Sequence, residues 1–221
     1  MSAPLCIEWL GQMGWPEALE EQHKRVEARR AGAGPDTLLL LEHPPVITLG
    51  RRTEPAHLRE SRAALAARGI PVFEAVRGGS ATWHGPGQLV GYLIVDLAAR
   101  GGADVHRFLR GIESDLIAAI ASLGVAAQRI PGRTGVFAQA PGRPRKLASI
   151  GVGLRGWVSF HGFALNVTVA PEDFAPIVPC GLTDVEIGSL ARELGAGAPA
   201  GLMERSRAAV AAAFAAHWDA A

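Results

Sequence analysis

Apolar positions along this chain recur with two periods, near 3.6 and near 2, and the two rhythms separate helices from strands. Over 105–123, Val105, Phe108, Leu109, Ile112, Leu116, Ile117, Ile120 and Leu123 fall on one face of a helix, and Asp104 is placed to cap it. A second helix, strongly charged, is predicted over 16–31, with Pro16 in its first turn. A third is predicted over 55–68, closed by Gly69, and a fourth from about 202 to 218. Short strands are predicted at 37–41 and 46–49, separated by His43-Pro44-Pro45, and at 71–76. The run QLVGYLIVDL after Gly87 is almost continuously apolar, the pattern of a strand buried on both faces. Pro131-Gly132 and Pro141-Gly142 mark turns between short strands at 135–139 and 146–152, and Phe163, Leu165, Val167 and Val169 alternate in a further one.

Strands and helices intermingle without strict βαβ alternation. The fold class is therefore α/β in the mixed, α+β sense, in a single domain spanning 1–221. At 221 residues and 48% hydrophobic, the chain has enough apolar surface for one self-sufficient core, which excludes a disordered chain. With 22 basic and 21 acidic residues the net charge is +1, too balanced for a nucleic-acid binder that depends on many phosphate contacts. Cys6 and Cys180 are too few for a disulfide framework or a cysteine-rich zinc site. The N-terminal stretch lacks a basic start and a sustained apolar run, and no segment reaches membrane-spanning length, so a cytoplasmic protein with no membrane contact is expected. Lysine is scarce: Lys24 and Lys146 stand against 20 arginines.

The most informative stretch is Arg77-Gly78-Gly79-Ser80-Ala81-Thr82-Trp83-His84-Gly85-Pro86-Gly87-Gln88. Its paired glycines permit a sharp turn and a close backbone approach to a ligand, and Arg77, Thr82, His84 and Gln88 add polar groups. It is neither a dinucleotide fingerprint nor a phosphate loop of the G-x-x-x-x-G-K-[ST] type. Cys180 lies on a Pro-Cys-Gly bend, which favours access, whereas Cys6 between Leu5 and Ile7 reads as core. A cysteine nucleophile needs a neighbour that favours thiolate and handles protons; His84, His161 and Lys146 are the candidates. Lys146 opens an apolar strand and is either half out of water there or a solvated charge at a hairpin end beside Arg143 and Arg145. A Cys–His hydrolase and a mixed zinc site are the alternatives built on the two histidines, without close ligand spacing to support them.

The segment 77–88 resembles the R-G-G-x-x-T-x-H-x-x-G-Q signature of the bacterial lipoyl(octanoyl) transferases. LLLLEHPPVITLGRR at 38–52 looks like that family's early strand pair. The stretches 146–152 (KLASIGV) and 179–182 (PCGL) match its two catalytic segments, all in the family's order. Ile47, Leu93 and Ile187-Gly188 depart from the usual pattern at positions that bear on packing. The resemblance implies the fold of the biotin and lipoate protein ligase catalytic domains. It also implies an acyltransferase with a Cys180–Lys146 dyad, in which Cys180 becomes an acyl-thioester while Lys146 lowers the thiol pKa and acts as general acid and base. Substrate contacts carry over to Arg77, Gly78, Gly79, Ser80, Ala81, Thr82, Trp83 and His84, to Ser149, Ile150 and Gly151, and to Gly162, Phe163 and Ala164. The implied donor is octanoyl-acyl carrier protein. The implied acceptors are lysines on lipoyl domains of 2-oxoacid dehydrogenase complexes and on the glycine cleavage H protein. A monomer without ATP, metal or other cofactor is expected. The basic runs Arg143-Pro144-Arg145-Lys146 and Arg51-Arg52 are either docking patches for an acidic carrier or solvated turns.

Overall fold

The computed structural model describes residues 4–139, 141–178 and 184–219. Its main sheet runs in the order β1 (Cys6–Gln12), β2 (Thr37–Glu42), β6 (Gln88–Ile94), β10 (Val158–Asn166), β9 (Arg145–Arg155), β8 (Val136–Ala138) and β7 (Ala127–Gln128), with β11 (Glu186–Ile187) also paired to β9. A smaller sheet has the order β4 (Val72–Glu74), β3 (Val46–Leu49), β5 (Ala81–His84). The β1–β2, β3–β4 and β9–β11 pairs are parallel and the others antiparallel, so both sheets are mixed.

Strands β2 and β6 read as continuous apolar runs because both their faces are covered. Leu38, Leu40, Leu89 and Leu93 pack toward helix α3 (Val105–Ser122) and the C-terminal helix Leu202–Trp218, in a core with Phe108, Ile112, Leu116 and Phe214. The alternate residues Leu39, Leu41, Val90 and Tyr92 face α1 (Trp15–Arg30), with Ala18 and Val26. The strand period of 2 thus splits one leucine-rich run between two cores. Asp104 caps α3 as expected, accepting from the His106 and Arg107 N–H groups at 2.8 and 3.0 Å.

Three expectations are corrected. The helix over 55–68 is broken: a 3-10 turn covers Pro55–His57, Leu58 bridges to Ile177, and α2 (Arg62–Ala67) begins only after Ser61, whose hydroxyl accepts from the Ala64 N–H. Residues 37–41 and 46–49 form strands as expected, and Pro44-Pro45, which lacks the N–H donors to continue a ladder, separates them into different sheets. Strand β9 runs on past 152 into a long hairpin with β10, turning through Gly156 and Trp157 at φ 57° and 64°. Strand β1, an edge strand with weak alternation, was not predicted; it leaves Cys6 half-buried rather than in the core.

Candidate active site

A cleft opens between the small sheet, α1 and the β9–β10 hairpin. It is lined by Trp15, Arg77, Gly79, Ser80, Thr82, His84, Tyr92, Ser149, Ile150, Gly151, His161, Gly162, Phe163 and Ala164. Pairing brings the two later segments together, since Ala164, Phe163 and Gly162 oppose Ser149, Ile150 and Gly151. Three of the expected contact residues face elsewhere. On β5, Thr82 and His84 point to the cleft, so Ala81 and Trp83 must point the other way. They do, into the core with Ile47, Leu65 and Phe174. Gly78 does not line the cleft; its N–H donates to the Val152 carbonyl at 2.9 Å and ties the loop to β9. Sequence reasoning missed Trp15 and Tyr92, whose roles depend on which face of a helix and a strand meets the loop.

Small residues let the backbones close on one another. An added Cβ at Gly151 would lie 2.7 Å from the Gly78 carbonyl oxygen, and one at Gly162 would lie 2.3 Å from that of Gly91. Arg77 is buried and braces the glycine loop: Nη1 donates to the Gly78 and Ser80 carbonyls at 3.1 and 2.9 Å, and Nη2 to the carbonyl and hydroxyl of Thr48 at 2.9 and 2.7 Å.

Two histidine networks set the polarity of the walls. Asn166 Nδ2 donates to the carbonyls of Lys146 (3.3 Å) and Gly188 (2.9 Å), so its Oδ1 accepts from Gln88 Nε2 at 2.9 Å. Gln88 Oε1 is thereby left to accept from His84 Nδ1 at 2.7 Å, and Nε2 of that ring is an acceptor. His84 thus spends its N–H on Gln88 and forms part of the cleft wall. His43 Nδ1 donates to the Met13 carbonyl at 2.6 Å, and its Nε2 accepts from the Tyr92 hydroxyl at 2.7 Å. Burial is the main cause that lowers the pKa of both histidines and raises that of Tyr92, keeping all three uncharged. His161 sits inside β10 with φ 58°, its N–H donating to Gln22 Oε1 at 2.8 Å. Burial, then the nearby Arg77 and His23 charges, lower its pKa to about 3. Among the described residues its Nε2 has no hydrogen-bond partner.

Lys146 is only 4% exposed, so the solvated hairpin-end reading is overturned. Its Nζ lies 5.6 Å from the Phe137 ring centroid, and its backbone carbonyl accepts from Asn166 and from the Gly188 N–H. It precedes Ser149 by three residues, about 10 Å along β9. Cys180, with 179–183, lies outside the described residues. Cys6 donates weakly to Glu8 at 3.5 Å, and burial pushes its thiol pKa up, the reverse of activation. The basic run at 143–146 is not a patch: Arg145 is paired with Glu193 through two bonds of 2.7 and 2.6 Å and Lys146 is buried, which leaves Arg143 alone exposed.

Residues 16–215 match the model of the lipoyl protein ligase A/B catalytic domain. An octanoyltransferase from Geobacter metallireducens is 48% identical over 202 residues, covering 91% of this chain and 89% of its own length. One from Mycolicibacterium smegmatis is 46% identical over 196 residues, covering 88% and 82%. Among solved structures, a putative lipoate protein ligase from T. acidophilum with bound lipoic acid superposes with a TM-score of 0.72 at 14% identity, covering 98% of this chain and 86% of that one. Lipoate-protein ligase A bound with ATP gives 0.69 at 13% identity, covering 98% and 85%. At such identities the likeness is one of fold alone.

Proposed function

This chain belongs to the octanoyltransferase family, and we propose that it moves an octanoyl group from acyl carrier protein to a lysine of a lipoyl domain through a thioester on Cys180. The observation that carries the reading is Lys146. A lysine held 4% exposed beside an aromatic ring, three residues before the cleft-lining Ser149 on the same strand, is an unusual arrangement for a purely structural residue.

In the first half-reaction the Cys180 thiolate attacks the thioester carbonyl of the donor. A C–S bond to Cys180 forms, the C–S bond to the phosphopantetheine sulfur breaks, and Lys146 supplies the proton that the leaving thiolate takes up. In the second, the acceptor lysine attacks the enzyme thioester as a free amine. A C–N bond forms, the Cys180 sulfur leaves, and Lys146 takes the proton that the nitrogen sheds. Both steps pass through an oxyanion that needs fixed N–H donors. Exchange between thioesters is nearly balanced and thioester to amide is downhill, so the cycle closes without ATP, metal or other cofactor. Burying an eight-carbon chain against Ile150, Gly162, Phe163 and Ala164 contributes about 0.8 kcal/mol per CH₂. The acceptors are the lipoyl domains of 2-oxoacid dehydrogenase complexes and the glycine cleavage H protein.

The test is transfer in a mixture of the protein, octanoyl-acyl carrier protein and a lipoyl domain without ATP. Octanoyl-lysine should form with the wild type and fall by at least about 10³-fold in Lys146→Ala, the range of an acid–base group with its nucleophile activation. Dependence on free octanoate with ATP and Mg²⁺ would assign an adenylating ligase instead.

A further inference from the structure

We propose that Arg51 and Arg59 form a phosphate site on the rim of the cleft, and that it takes the phosphate of the donor's phosphopantetheine arm; this rests on the transferase reading above. The two residues line an open depression of about 640 Å³, together with Thr53. Both are exposed, and neither side chain makes a hydrogen bond or ion pair with the described residues. That is unusual in this chain, where most guanidiniums are occupied: Arg62 is held by Glu74, and Arg68 by Glu60 at 2.6 and 2.8 Å. The Thr53 hydroxyl is a second unspent group; it is buried, with no hydrogen-bond partner among the described residues.

The acidic neighbours of the depression are Glu54, Glu60 and Glu74. Glu60 and Glu74 are neutralised by Arg68 and Arg62, which leaves Glu54 alone against two guanidiniums, and the net charge positive. Two planar, always-charged forks are suited to a phosphate, which accepts from several N–H groups at once.

Position identifies the phosphate. The Arg51 N–H donates to the Arg77 carbonyl at 3.1 Å and that of Arg52 to the Gly79 carbonyl at 3.0 Å, so this loop lies against the glycine-rich lip of the cleft. The Arg59 N–H donates to the Pro176 carbonyl at 2.8 Å, and the Val178 N–H to the His57 carbonyl at 2.9 Å. Pro176 precedes Cys180 by four positions. His57 Nδ1 accepts from the Ser80 hydroxyl at 2.7 Å and closes the bridge between the two sides. The residues 51–59 therefore join the substrate loop to the chain that leads into the proposed nucleophile. A thioester donor whose reacting carbon enters the cleft must bring its pantetheine arm, and the phosphate at the far end of that arm, out over this rim.

The experiment compares two donors that differ only in the phosphate, octanoyl-4′-phosphopantetheine and octanoyl-pantetheine, in transfer to a lipoyl domain. The wild type should use the phosphorylated donor with a kcat/KM at least about tenfold higher, carried mainly in KM. The ratio should collapse toward one in Arg51→Ala and Arg59→Ala, be partly kept in Arg59→Lys, and be unchanged in Arg107→Ala, an exposed arginine at the start of α3. A wild-type ratio near one overturns the site, as does a ratio that survives both alanine variants; in that case the arm's phosphate is left to solvent or to the carrier protein. Failure of the wild type with every donor, octanoyl-acyl carrier protein included, overturns the transferase reading and the phosphate site with it.

Discussion

Gly135→Ala is a perturbation whose effect on Lys146 follows from distances. Gly135 has φ 125°, a region that side chains rarely enter. An added Cβ would lie 2.6 Å from the Ala148 carbonyl oxygen, 2.7 Å from Lys146 Cε and 3.3 Å from Lys146 Nζ. The residue has no easy retreat, because its N–H is held at 2.9 Å by Glu113 Oε1. Glu113 is itself fully buried and anchored by Arg110 and Arg129 at 2.5 and 3.0 Å. Backbone strain of about 1–3 kcal/mol adds to an overpacking term of similar size, so a stability loss of about 2–6 kcal/mol is expected. Lys146 Cε must shift by roughly 1 Å and carry the ammonium with it, and a misplacement of that size costs about 10²-fold in rate. Denaturant unfolding measures the first effect and single-turnover octanoyl transfer, at a temperature where the variant is folded, the second. Gly132→Ala is the control: it shares a positive φ of 76° but has open space around the added Cβ, so it should lose stability modestly and keep its rate. A folded Gly135→Ala protein with transfer within twofold of wild type would refute the placement of Lys146 at the reacting centre.

Three further outcomes are expected. Stability should fall as pH drops below about 6.5 toward 3: the folded-state pKa of His161 lies near 3, and those of His43 and His84 are also lowered, so the unfolded chain binds protons that the folded one refuses. Each such histidine contributes up to about 1.4 kcal/mol per pH unit, and His161→Gln should flatten the slope of denaturant stability against pH by about one proton. Asn166→Ala removes the closer of the two acceptors of Gln88 Nε2 and takes an amide donor from the Lys146 and Gly188 carbonyls, though Gln88 keeps the Trp83 carbonyl and Lys146 keeps the Gly188 N–H. It should destabilise by about 1–3 kcal/mol, and transfer measured on the folded fraction should also drop, because His84 is no longer held in one tautomer. Gly91→Ala would drive a Cβ to within 2.1 Å of the Phe163 ring and should cost about 1–3 kcal/mol of stability in thermal unfolding, with part of the loss recovered in a Gly91→Ala/Phe163→Leu double variant.

What was legible in the sequence was local or strongly patterned. The α3 stripe and its Asp104 cap needed only a helical period and one acceptor, and β2 and β6 announced themselves through apolar runs that two cores then divided. The segments that line the cleft were legible through a motif, but the motif could not say which side chains of β5 turn inward; the strand period sends Trp83 away from the cleft. The burial of Lys146 was not legible because Gly135 and Phe137, which enclose it, lie on the neighbouring segment and strand. The apparent basic run at 143–146 misled for the same reason, since the partner of Arg145 is Glu193, 48 positions away. Trp15 and Tyr92 were likewise invisible as cleft residues, for their places depend on how α1 and β6 pack against the β9–β10 hairpin.

The central claim is that the octanoyl group passes through Cys180, and intact-protein mass spectrometry after mixing with octanoyl-acyl carrier protein, without ATP, tests it most directly. The account predicts a mass increase of one octanoyl group on the wild type and on Cys6→Ala, absent from Cys180→Ala and discharged by a lipoyl domain. An adduct that persists in Cys180→Ala, or its absence from a folded wild type that still transfers octanoate, would contradict it.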